Sequence, residues 1–117
     1  MRIFAYIQAM LPTYNEIKCT FAECCDTKLM KILSEPIRVE LYAFLVFHGQ
    51  SDIKTIAEHF AIDRSNVSRH LQMMADAEIL EKSKQSRHIY YKVNLESLES
   101  RVQIMLEMIR MIKERRG

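Results

Sequence analysis

Between residues 51 and 93 the spacing of apolar residues switches from a helical period to a strand period, and no other feature constrains the fold so tightly. Ile53, Ile56, Ala57 and Phe60 form the inner stripe of one short helix. Ala61-Ile62 then leaves room only for a tight turn, and Asp63 suits the N-cap of a second helix. In that helix Val67, Leu71 and Met74 recur at i, i+4 and i+7. From Ile79-Leu80 onward the pattern alternates. Ile89, Tyr91 and Val93 interleave with His88, Tyr90 and Lys92, as in a half-buried strand.

Two short helices joined by a tight turn and followed by a basic hairpin make a winged helix-turn-helix. It is a mainly α fold with a small β-hairpin, and its second helix enters the DNA major groove. Many such turns carry Gly where this chain has Ala61. The flanking pattern is helical too. A first amphipathic helix is expected over residues 1–11, stopped near Pro12, followed by an irregular or partly helical stretch over 12–25. A helix through Thr27–Leu33 precedes one opened by Pro36, which buries Ile37, Leu41, Phe44 and Leu45 and ends at Gly49. Ser51 is expected to cap the helix after it, with Asp52 in its first turn. Asn94 caps a last helix. The organisation is one domain: residues 1–25 hold the N-terminal helix and a cysteine segment, 26–93 the DNA-binding core, and 94–116 a dimerisation helix.

The 117 residues suffice for one core, not two, and with 49% apolar residues the chain is an ordinary globular one. No apolar run is long enough to span a membrane. The start lacks a small-residue cleavage site, so no signal peptide is read there. An odd cysteine count without an export signal argues for free thiols in a reducing cytoplasm. A net charge of +2 does not by itself indicate nucleic acid, but its distribution does. Residues 79–92 carry Lys82, Lys84, Arg87 and Lys92 against Glu81 alone.

With Val67 and Leu71 facing in, Arg64, Ser65, Ser68, Arg69 and Gln72 face out, and Asn66 lies near the end of the helix that enters the groove. Arg pairs bidentately with guanine, Gln with adenine, and Ser with base edges or phosphates. Any amphipathic surface helix can carry such residues. The hairpin separates the two cases, because Lys82, Lys84 and Arg87 at its tip can reach phosphates beside that helix. His70, at the buried edge, reads as a packed, hydrogen-bonded histidine. His88 is either a phosphate contact or simply exposed.

The run Leu29-Met30-Lys31-Ile32-Leu33-Ser34-Glu35-Pro36-Ile37-Arg38-Val39-Glu40-Leu41 resembles the opening of the ArsR/SmtB family domain. Val67-Ser68-Arg69-His70-Leu71 resembles that family's recognition helix, and Arg87 with Tyr90-Tyr91-Lys92-Val93 its wing. The likeness covers about residues 28–94. It implies a homodimeric repressor that sits on double-stranded operator DNA and leaves it when a metal ion, metalloid or oxidant is sensed. It implies no enzyme. Two sensing sites familiar in that family are missing. The helix Asp52–Glu58 has no Cys-x-Cys pair, and residues 95–116 contain no histidine.

Cys19, Cys24 and Cys25 remain, clustered within seven residues. Thiolates suit soft ions, so arsenite, Cd or Zn is a candidate inducer. Neighbouring side chains on a regular helix diverge by about 100°, so convergence of Cys24 and Cys25 needs irregular backbone or ligands shared between chains. A reversible disulfide and plain packing are the other uses. A thiol enzyme would need a Gly-rich elbow, an oxyanion signature or an ordered histidine, and none is visible.

In the last helix Leu95, Leu98, Val102, Met105, Ile109 and Ile112 are spaced 3, 4, 3, 4, 3, a heptad seam. With Ile104, Met108 and Met111 the stripe is wider than one small domain needs, which points to a homodimer through the N- and C-terminal helices rather than to a helix folded back on its own core. A winged-helix module that binds protein rather than DNA is the competing class, and the modest net charge favours it slightly.

Overall fold

The computed structural model describes residues 13–116. The helix expected over 1–11 lies outside them. In chain order the elements are α1 (Tyr14–Cys24), α2 (Thr27–Leu33), α3 (Pro36–His48), β1 (Ser51–Asp52), α4 (Ile53–Phe60), α5 (Arg64–Asp76), β2 (Leu80–Gln85), β3 (His88–Val93) and α6 (Leu95–Arg116). None of the described helices is long and apolar enough to cross a membrane. Contacts divide the chain into two units, residues 28–97 and a second that joins the chain up to Thr27 with Leu98 onward. The sequence reading instead kept one domain, with internal boundaries after residues 25 and 93.

The unit of residues 28–97 is built on Leu41, Leu45, Ile56, Leu71, Met74, Ile79 and Tyr91, each almost wholly buried. Pro36 opens α3, where its missing N–H is no loss. Gly49 ends it with φ 78°, a left-handed value that costs a residue without Cβ little, and its N–H donates to Leu45 O at 2.9 Å. Ala61 takes φ 52° in the turn between α4 and α5 without that freedom, a cost of about 1 kcal/mol that the packing on either side must offset.

The sheet has the antiparallel order β1-β3-β2. Leu80 stands opposite Val93 and Gln85 opposite His88, while Ser51 pairs with Tyr91 and Asp52 with Tyr90. The third strand, β1, corrects the expectation for Ser51. Ser51 is a strand residue whose hydroxyl donates to Gly49 O at 3.0 Å, and Asp52 takes the cap, accepting from Thr55 N at 3.0 Å. Two residues are too short to show a strand period. Asn94 caps α6 as expected, its side-chain oxygen accepting from Ser97 N at 3.1 Å.

In the other unit, the stretch over 12–25, expected to be irregular or partly helical, holds the regular helix α1 over Tyr14–Cys24. Its inner stripe is Ile17, Thr20 and Cys24, spaced 3 and 4, and Thr20 and Cys24 are buried. Small polar residues on that stripe hide the helical period from a hydropathy reading. Cys24 and Met108 form a buried core, with Ile104, Met111 and Ile112 packed against it. The Arg101 guanidinium grips the Asp26 carboxylate through Nε and Nη2, the latter at 3.2 Å from Oδ1, in the two-pronged geometry that favours this pair.

Candidate nucleic-acid interface

Recognition of a duplex needs a helix whose outer face is free and whose position is fixed. Helix α5 has its inner face, Val67, Leu71 and Met74, fully buried. Arg64, Ser65, Asn66 and Arg69 are exposed along the other side, and Ser68 is half-buried. At its start Ser65 donates to the Asp63 carboxylate, so Asp63 sits at the N-cap position without capping the backbone. One turn on, Arg69 Nη2 approaches Asn66 Oδ1 at 3.4 Å, a long bond that a base edge can replace.

Gln72 is placed differently from the other expected readers. It is half-buried, and its amide is engaged at both ends. Nε2 donates to Asp76 Oδ1 at 2.8 Å, while Oε1 accepts from Lys82 Nζ and, at 3.4 Å, from Tyr91 Oη. These bonds tie α5 to β2 and β3 and hold the wing beside the helix. Lys82 is spent on the same strut. Lys84 and Arg87 stay exposed at the wing tip, where Ser86 turns the chain with φ 57°. Lys92 lies 4.0 Å from Glu81 with both side chains about half exposed, a pair worth little to stability.

The wing has a second anchor at its base. His88 Nδ1 lies 3.7 Å from Asp52 Oδ2, the carboxylate that caps α4. Hydrogen bonds from Thr55 hold the Asp52 carboxyl below its ordinary value, and the nearby His88 adds to this. A notch of about 100 Å³ opens there, lined by Lys54 of α4, Arg64 of α5, and Arg87 and His88 of the wing, with Asp52 at its side. Three elements thus bring cationic side chains to one small polar hollow, the size of feature that seats a backbone phosphate.

Behind α5 sits a residue that the sequence reading passed over. Arg38 is buried. Its guanidinium donates to Ile32 O at 3.2 Å and Lys31 O at 3.4 Å at the end of α2, and to His70 Nδ1 at 3.2 Å. The carbonyl end of a helix carries partial negative charge, so a cation is well placed there. Because His70 Nδ1 accepts, the imidazole is neutral with its proton on Nε2. Burial, with Arg38 and then Arg69 nearby, pushes the His70 pKa below its ordinary value. His70 is therefore the packed, hydrogen-bonded histidine that was expected. The signal for Arg38 was available, since Arg38, Leu41 and Leu45 share one stripe of α3.

The three cysteines are thiols in different surroundings: Cys19 exposed, Cys24 buried and Cys25 between. Burial, then the neighbouring Glu23 and Cys25, raises the Cys24 pKa and makes its thiolate harder to form. Among the described residues no three His, Cys, Asp or Glu side chains group closely enough to hold a metal ion.

Along α6 the six expected seam positions separate. Leu95, Val102 and Ile109 are exposed together with Leu106, all within about 60° of arc on the helix. Ile112 instead packs on Cys24 and Met108. Leu98 and Met105 are half-buried at the margin.

A family model described as "Sugar-specific transcriptional regulator TrmB" matches residues 37–96, just over half of the chain. No curated protein matches closely enough to count as a relative. The transcriptional repressor PagR of Bacillus anthracis is 27% identical in a match covering 69% of this chain and 90% of that one, with a TM-score of 0.56. A homodimeric winged helix-turn-helix DNA-binding domain from Mycobacterium bovis, a possible ArsR-family regulator, is 16% identical over 76% of this chain and 82% of that one, at 0.61. The antimony-specific repressor AntR is 21% identical, with 89% and 86% covered and a TM-score of 0.56.

Proposed function

The chain belongs to the TrmB family of transcriptional regulators, built on a winged helix-turn-helix, and from that premise we propose that it works as a homodimeric repressor on operator DNA. One observation carries this reading. The exposed Arg64, Ser65, Asn66 and Arg69 of α5 stand beside the exposed Lys84 and Arg87, on a wing that Gln72 and Asp52 hold in place. Arg69 and Asn66 read base edges, with Ser68 at the margin. Lys54, Arg64, Arg87 and Lys84 neutralise phosphates. Gln72 and Lys82 position the wing rather than read sequence.

The exposed stripe of α6 pairs the protomers, which sets two recognition helices about 34 Å apart on an imperfect palindrome. Such a protein works beside the DNA, in the cytoplasm. The family's name mentions sugars, but the match covers the DNA-binding segment, and no inducer follows from it.

Mobility shift and footprinting with the DNA upstream of its own coding region test this. Affinity should fall steeply with salt as counterions are released. Arg69→Ala should weaken specific binding by about 1–3 kcal/mol, while Lys84→Ala should weaken all duplexes evenly. A protein that shows no preference among duplexes at low salt, and no retention on heparin, is a protein-interaction module instead.

Release by a soft metal or metalloid is a second reading, favoured by the thiol cluster and by the fold shared with an antimony-specific repressor. Cys19 and Cys25 are the accessible thiols, so a bound arsenite, Cd or Zn would be held between protomers, with Cys24 as packing. Operator release on titration with these ions supports it. Release only by oxidant, reversed by thiol, replaces it with a redox switch.

A further inference from the structure

The last turns of α3 and α4 form a second cavity that DNA binding leaves unused. Its volume is about 360 Å³, within the range of small-molecule sites. Glu40, Phe44, Phe47 and His48 lie on one face of α3, spaced 4, 3 and 1, and His59 and Phe60 close it from α4. Phe44 is the buried floor. Its ring centroid lies 4.2 Å from His48, 4.6 Å from His59 and 5.6 Å from Phe60. Phe47 stands edge-on to His48 at 4.9 Å, yet is 84% exposed. A phenyl ring so open to water adds almost nothing to the core of its own unit, but it can cover something bound beside it.

The chemistry of the lining selects the occupant. Three phenyl rings and two imidazoles line it, and phenyl π clouds carry partial negative charge that attracts cations. Glu40 is the one carboxylate among the lining residues, and no lysine or arginine lines the cavity. An anion would meet both the carboxylate and the ring faces. The ring count also exceeds what a metal ion needs, and no group of three ligating side chains occurs among the described residues. The geometry points to a binding site for a small organic cation with an apolar body, of the arylalkylammonium class. Its body packs against the exposed Phe47 at the rim of the ring cluster, in which His48 and His59 already touch at 6.0 Å, and Glu40 faces its charge. Only three residues separate Phe60, the end of α4, from Arg64, the start of α5, so an occupant acts on the turn that sets the recognition helix. That last consequence, unlike the binding, rests on the DNA-binding reading.

NMR titration of the full chain with benzyltrimethylammonium at a pH of about 8 tests the site. Benzyl alcohol and phenylmethanesulfonate are the neutral and anionic controls. Saturable shifts are expected at His48, His59 and Phe47, with the cation bound about tenfold more tightly than the alcohol and the sulfonate not at all. Glu40→Gln should weaken the cation about threefold and leave the alcohol unchanged, whereas Phe47→Ala should weaken both. Both positions are exposed, so the rest of the spectrum should stay in place. Equal binding of the three probes, or an unchanged cation affinity in Glu40→Gln, overturns the assignment. Retained shifts in a protein that ignores every duplex leave the site standing and overturn only the DNA reading.

Discussion

Val102→Glu addresses the part of the molecule on which operator geometry depends. Leu95, Val102, Leu106 and Ile109 are 53%, 45%, 37% and 48% exposed on one face of α6. Fully burying such a side chain contributes about 1.5–3 kcal/mol, so the exposed part of each is worth about 1 kcal/mol. Two protomers meeting along this face gain roughly 8 kcal/mol. Association itself costs about 4–15 kcal/mol, so this stripe alone supports at best a dimer of about millimolar affinity and is a necessary but not sufficient part of the seam. Glutamate at residue 102 removes burial from both protomers and sets two carboxylates facing each other in a drying seam. The loss is at least about 3 kcal/mol, a hundredfold or more in the dimer constant. Sedimentation equilibrium over a range of protein concentrations measures it directly. Far-UV circular dichroism should be unchanged, because glutamate is a better helix former than valine. Operator affinity should fall with the dimer, since one recognition helix cannot hold a palindrome. A variant that sediments like the parent would refute the placement of the seam on this face. Met105→Glu, at the half-buried margin, is the weaker test because it also disturbs packing within the chain.

Three further outcomes are expected. Arg38→Met should destabilise the unit of residues 28–97 by about 2 kcal/mol in urea denaturation, as two helix-end carbonyls and His70 lose their donor; Arg38→Lys should not restore it, since an ammonium lacks the planar fork. His70 has a folded pKa below its ordinary value, so the unfolded chain binds its proton first, and the stability contributed by neutral His70 is present above a pH of about 6.5 and lost as the pH falls through the folded value. Urea midpoints measured between pH of about 7 and 5 should show this loss, and His70→Gln should flatten it. A thiol reagent should label exposed Cys19 quickly and buried Cys24 only as fast as its helix opens, which mass spectrometry of the timed digest reads out.

The apolar periods of α4, α5 and β3 were legible because each element buries one face in a regular rhythm, and Asn94 and Pro36 marked helix starts by their own chemistry. Where the rhythm is carried by other residues it was not legible. Thr20 and Cys24 do the burying in α1, so the stretch looked irregular or only partly helical. Two residues of β1 are too few to show alternation. Gln72 has the exposed-face spacing of a base reader, and only the fold brings Lys82 and Tyr91 to its oxygen. The cavity beside Phe44 was hidden for the same reason, since His59 and Phe60 come from another helix.

These residues share a physical logic. The apolar core fixes which face of α5 points inward, but hydrophobic contact is not directional and leaves the helix free to shift by a fraction of a turn. Hydrogen bonds remove that freedom because they fail over a few tenths of an ångström. Arg38 holds α5 from behind through His70, Gln72 holds the wing from the side, and Asp52 joins the wing base to the start of α4. Each strut spends a polar side chain that sequence spacing alone would assign to the surface or to DNA. A reading surface needs both kinds of residue, those that touch the duplex and those that keep the first kind in register. The second kind is recognised by paired atoms: a side chain whose donors and acceptors are already matched within the protein has less left to offer a base.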